Sequence, residues 1–101
     1  MNMNIQSLMR EAQKMKKDLE KTQEELNNTI YEGVSSLVVI QLNGNKDVVS
    51  VKINSEDSLD KEDIEMLEDM ILVAFKDASK KVDLDKEKKL GKYGQGLAGL
   101  M

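Results

Sequence analysis

The chain has 101 residues, of which 40% are hydrophobic and 34% charged. That length fits one domain and is short for two. There is no histidine and no cysteine, which excludes an imidazole base, a thiolate nucleophile, a Cys/His zinc site and a disulfide. A domain of this size buries only roughly two-thirds of its unfolded surface. With Tyr31, Phe75 and Tyr93 as its only aromatics, a second copy is an attractive way to enlarge the core. Fifteen Lys+Arg stand against nineteen Asp+Glu, a formal charge of −4. The acids concentrate in residues 54–69, and residues 10–21 and 76–92 are locally basic. No apolar run reaches the ~20 residues of a membrane span, and the opening Met1-Asn2-Met3-Asn4 does not start a signal peptide. The expectation is a cytoplasmic protein with no membrane partner.

In chain order, residues 4–26 carry a heptad. Ile5, Leu8, Ala12, Met15, Leu19, Thr22 and Leu26 fill positions a and d, with helix-forming residues between them. Glu11, Asp18 and Glu25 fall at g and Lys16 at e, which suits pairing with a second helix. The alternative is a helix packed on its own domain. Asn27-Asn28-Thr29 ends this helix. Residues 29–34 form a possible first strand, interrupted by Gly33. Leu37 to Leu42 is nearly free of polar residues and predicts a strand buried on both faces. Asn43-Gly44-Asn45-Lys46 predicts a hairpin turn, since Asn-Gly tolerates positive φ. Val49, Val51 and Ile53 alternate with Ser50 and Lys52, the pattern of a half-buried strand.

A second helix is expected from about Asp60 to Leu90, with Asp60 as its cap. Acids at its start and Lys86, Lys88 and Lys89 at its end complement the helix dipole. Ile64, Leu67, Ile71, Ala74, Phe75, Ala78 and Val82 share one face, and Met66, Met70, Leu72 and Val73 widen it. A helix apolar nearly all round needs cover on more than one side. One small sheet cannot supply that, so Ile71, Leu72 and Phe75 are candidate dimer contacts. The two helices should run roughly 35 and 45 Å. A compact domain of this size has a radius of gyration of only ~13 Å, so helix ends should project as arms. Residues 1–90 are thus one domain, and the glycine-rich stretch 91–101 is expected to be a flexible tail.

Several patterns look chemical. Gly94 to Gly99 has GxGxxG spacing but follows a helix, where a dinucleotide site needs a strand before it. The acidic run lacks the central glycine of a calcium loop, and its carboxylates have no nucleophilic or basic partner for catalysis. No catalytic residue, metal site, cofactor or small-molecule substrate is expected. The basic residues are more informative. Arg10, Lys14, Lys17 and Lys21 occupy positions c and f, opposite the apolar seam. They make a stripe roughly 16 Å long. On the second helix Lys76 and Lys80 point away from the apolar face and Lys81 flanks it. On projecting arms, doubled by a dimer, such residues can grip phosphates. No base-reading element accompanies them.

Ordered blocks along the chain resemble the YbaB/EbfC family of bacterial nucleoid-associated proteins. They are Leu8 to Gln13, Gln23 to Leu26, Leu37-Val38, Leu42-Asn43-Gly44, Val51-Lys52-Ile53, Glu65 to Asp69 and Ala74 to Ala78. The resemblance implies an α+β protomer: a long helix, a small antiparallel sheet of two or three strands, and a second long helix. It also implies a tweezer-like homodimer that binds duplex DNA with low sequence preference and acts in nucleoid organisation or gene regulation. Basic residues at Arg10, Lys21, Lys80 and Lys81 fit the family; Lys14 and Lys17 rest on the stripe alone. Gly33 to Ser36 is shorter than the family pattern, and the end of the chain lacks the family's proline. The rival reading is a dimeric protein-interaction module using the heptad or methionine-rich helix faces.

Overall fold

The computed structural model describes residues 4–55 and 57–93. Two long helices flank a three-stranded sheet in the order α1 (Ile5–Asn27), β1 (Tyr31–Ser35), β2 (Val38–Leu42), β3 (Val48–Ile53), α2 (Lys61–Leu90). This is the α+β helix–sheet–helix architecture that the sequence pattern predicts.

Each helix begins where a polar side chain can serve its free N–H groups. Asn4 Oδ1 accepts from Gln6 N at 3.0 Å. At α2, the Asp60 N–H donates to Asp63 Oδ2 at 2.7 Å. At the end of α1, Thr29 Oγ1 donates to the Glu25 carbonyl at 2.6 Å, which consumes an otherwise free helix acceptor.

The sheet is an antiparallel meander, β1-β2-β3. Tyr31 pairs with Leu42 and Ser35 with Val38; Val38 pairs with Ile53 and Ile40 with Val51. The first strand forms despite Gly33, and that glycine has a packing reason. A Cβ there would lie 2.0 Å from the Ala74 carbonyl oxygen and 2.5 Å from the Ala78 nitrogen. Glycine on β1 opposite two alanines lets α2 lie directly on the sheet. Val38, Ile40, Leu42, Ala74, Ala78 and Val82 make the core, closed by Tyr31.

Three expectations about the sheet need correction. Leu37 lies in the β1–β2 turn, where Ser36 takes a positive φ of 49°, and the strand starts at Val38. Only alternate residues of β2 are fully buried, because α2 covers one face of the sheet. β3 is exposed at all six residues. α2 packs mainly over β1 and β2, so Val48, Val49, Val51 and Ile53 of β3 stay about half-exposed.

The β2–β3 turn also differs from expectation. The positive φ, 64°, falls on Lys46. The turn is organised by Asn43, whose Oδ1 accepts from the backbone of Asn45 at 2.9 Å and of Asp47 at 3.1 Å. Gly44 serves close approach instead, since a Cβ there would lie 2.1 Å from the Leu26 carbonyl oxygen. The turn and the base of α1 are thereby locked together, and Leu26 is fully buried.

The molecule extends 75 × 20 × 16 Å, with a radius of gyration of 20.3 Å. That is well above the ~13 Å of a compact chain this long. α1 accounts for much of the excess, being exposed along nearly all of its length. Gly91–Tyr93 add one 3₁₀ turn to α2. Residues 94–101, and with them the GxGxxG spacing and most of the expected tail, lie outside the described residues.

Candidate nucleic-acid interface

α1 carries Arg10, Lys14, Lys17 and Lys21 on its exposed surface. None of the four has an ion-pair partner among the described residues. Helical spacing explains the stripe: c and f positions face away from a seam whose base, Leu26, is buried in the domain.

Lys80 is also exposed and has no ion pair among the described residues. Lys81 differs. Its ammonium donates to the Glu32 carbonyl at 2.6 Å and lies 3.3 Å from Asp77 Oδ2. Asp77 in turn accepts from Val34 N at 3.1 Å. That backbone hydrogen bond, with the ammonium of Lys81, holds the Asp77 carboxyl below its ordinary range. Lys81 therefore clamps α2 to the free edge of β1 while its side chain stays half-exposed.

The C-terminal turns of α2 bring further lysines to α1. Lys88 and Lys92 line one cleft with Thr22 and Glu25. Lys92 and Tyr93 line another with Lys14, Met15 and Asp18. Residues some seventy positions apart in sequence thus join one basic end of the molecule. In the sequence Lys88 reads as a partner of the helix dipole, and Lys92 falls in the expected tail. The antiparallel approach of α2 to α1 could not be read from either helix alone. Lys89 is spoken for by Asp85, 3.0 Å away. Asp85 also accepts from the Tyr31 hydroxyl, and that hydrogen bond, followed by Lys89, keeps its carboxyl low. Burial, reinforced by Asp85, pushes the Tyr31 phenol up to about 12.

The candidate dimer contacts divide. Ile71 packs partly against the protomer's own core. Leu72 and Phe75 are 61% and 37% exposed. No cluster of His, Cys, Asp and Glu suited to a metal ion occurs among the described residues. No helix among them is long and apolar enough to cross a membrane.

The fold and its charge define a class: a small α+β protein with a free basic helix face on a projecting arm. Comparison with known proteins gives the particular family. The family model of the YbaB/EbfC DNA-binding family matches residues 1–97, and the chain belongs to that family. It is 37% identical over 100 residues to a nucleoid-associated protein of Ligilactobacillus salivarius, covering 97% of this chain and 95% of the relative. A nucleoid-associated protein of Lactococcus lactis is 41% identical over 97 residues, with 94% and 97% covered. One of Chloroflexus aurantiacus is 40% identical over 100 residues, with 97% and 99% covered. Among solved structures, an uncharacterized protein from Helicobacter pylori superposes with a TM-score of 0.71 at 26% identity, covering 92% of this chain and all of that one. The family is a DNA-binding one and not a family of enzymes.

Proposed function

We propose that this protein is a nucleoid-associated protein of the cytoplasm that binds duplex DNA as a homodimer, mainly through phosphates. The observation that carries the reading is the free basic face of α1. Arg10, Lys14, Lys17 and Lys21 lie exposed, without an ion-pair partner among the described residues, on a helix that projects from the domain. Lys88 and Lys92 lie beside α1, and Lys80 and the half-exposed Lys81 add cations farther back on α2. Binding is driven by counterion release, which needs cations and no base code. The net charge of −4 keeps the affinity low, about micromolar or weaker near physiological salt for non-specific sites.

The homodimer is supported by apolar surface that one protomer leaves bare. Leu72, Val73 and Phe75 of α2 and Val48, Val51 and Ile53 of β3 are all substantially exposed. Light scattering at micromolar protein should give twice the 11.4 kDa chain mass. Leu72→Lys should halve that mass or unfold the chain, because a charge buried in the contact has no partner. A stable dimeric Leu72→Lys protein would place the contact elsewhere.

The DNA contact is tested by changing Arg10 and Lys21 to alanine. Each lost phosphate contact lowers the slope of log K against log salt by ~0.9, so the slope should fall by about two per protomer engaged. The fall should be similar on unrelated DNA sequences. Unchanged slope and affinity, with an intact helix by circular dichroism, would remove α1 as the contact surface.

A further inference from the structure

The sheet has two outer strands, β1 on one side and β3 on the other, and the fold treats their edges differently. In an antiparallel pair, successive residues of a strand turn their backbone groups alternately toward the partner and away from it. On β1 the outward residues are Glu32 and Val34. The Val34 N–H donates to Asp77 Oδ2 at 3.1 Å, and the Glu32 carbonyl accepts from Lys81 Nζ at 2.6 Å. These are a donor and an acceptor that a further strand would need in order to pair with β1.

Both side chains come from one flank of α2. Gly33 lets Ala74 and Ala78 lie on the strand, and Asp77 and Lys81, one helical turn apart and 3.3 Å from each other, stand beside that contact. A carboxylate thus takes the place of a strand carbonyl, and an ammonium the place of a strand N–H. β3 has no such cover. All six of its residues are exposed, and among the described residues no side chain hydrogen-bonds to its backbone.

We propose that Asp77 and Lys81 close the β1 edge against strand addition, so that the sheet can be extended only along β3. An open edge is a template for another chain. With β1 closed, pairing through β3 uses up the open edge of each copy, and growth ends at two. With both edges open, copies can add head to tail without closing. The count of two rests on the homodimer proposed above; the closure of β1 does not.

Amide hydrogen exchange in the native chain tests the closure by itself. The Val34 N–H should exchange at least about tenfold more slowly than the outward N–H of Glu32, for which α2 supplies no acceptor. Asp77→Ala should bring the two rates together. Equal rates in the native chain, or a Val34 rate unmoved by Asp77→Ala, would overturn the proposal.

Asp77→Ala with Lys81→Met tests the consequence. Its mass by light scattering should climb with concentration to at least about twice the native mass. Lys46→Ala with Asp83→Ala breaks a 2.9 Å ion pair between the β2–β3 turn and α2, leaves the β1 edge closed, and should keep the native mass. Native mass for the first variant at every concentration, or equal growth of both, would also overturn the proposal. If the first variant does not fold, the same criteria apply to Lys81→Met alone, which keeps the apolar stem and removes only the ammonium.

Discussion

The middle of α2 and the outer half of α1 are both amphipathic helix, yet they live in opposite surroundings. Ala74, Ala78 and Val82 are fully buried against β1 and β2. Ile5, Leu8 and Met15, larger and more apolar than the alanines, are exposed. Apolarity by itself therefore does not decide burial here. What decides it is whether a complementary surface stands opposite. Gly33 and the two alanines let a helix and a strand come into contact, whereas the tip of α1 has no sheet beneath it. The same contrast separates the two kinds of lysine. Lys81, on the sheet-covered part, is tied to Glu32 and Asp77. Arg10, Lys14, Lys17 and Lys21, on the arm, have no ion-pair partner among the described residues.

Breaking the contact side of this comparison should have the largest effect. Gly33→Val drives side-chain carbons into the backbone of α2, where neither strand nor helix can yield locally. A loss of about 3 kcal/mol in urea unfolding is expected, with Gly33→Ala also clearly destabilised. Full stability of the alanine variant would mean that α2 rides higher over β1 than the structure places it. Next in size, Leu26→Ala empties a site at the base of α1 that is 1% exposed and should cost about 2–5 kcal/mol. Lys17→Ala on the same helix should stay within about 0.5 kcal/mol. Similar costs for the two would erase the difference between base and arm.

A smaller effect, visible only at high pH, sharpens the contrast at the Tyr31–Asp85 contact. The Tyr31 phenol titrates at about 12 in the fold against an ordinary 10.0. The neutral phenol is favoured by folding, so its contribution is complete below pH ~10 and disappears as pH rises to ~12. The total is at most about 2.7 kcal/mol. Between pH 9 and 12 the native protein should therefore lose more stability than Tyr31→Phe. Parallel pH profiles for the two proteins would show that the buried phenol does not govern alkaline unfolding.

Element order was legible in the sequence because its signals are local. The heptad over 4–26, the turn at Asn43 to Lys46 and the dipole-matched charges of the second helix each lie within a few residues of what they specify. The stripe of Arg10, Lys14, Lys17 and Lys21 followed from helical period alone, and all four residues are exposed on α1. Other features were settled by contacts between distant segments. Gly33 reads as a flaw in a strand until Ala74 and Ala78 stand opposite it. Gly44 reads as a turn residue until the Leu26 carbonyl lies against it. β3 alternates like a half-buried strand, but α2 packs mainly on β1 and β2, so all six residues of β3 stay exposed. Lys88 and Lys92 join the basic end only because α2 returns antiparallel beside α1. Periodicity along a chain determines which face of an element is apolar or charged. Which faces meet depends on the shapes of residues far apart in sequence, and that was decided only when the chain closed on itself.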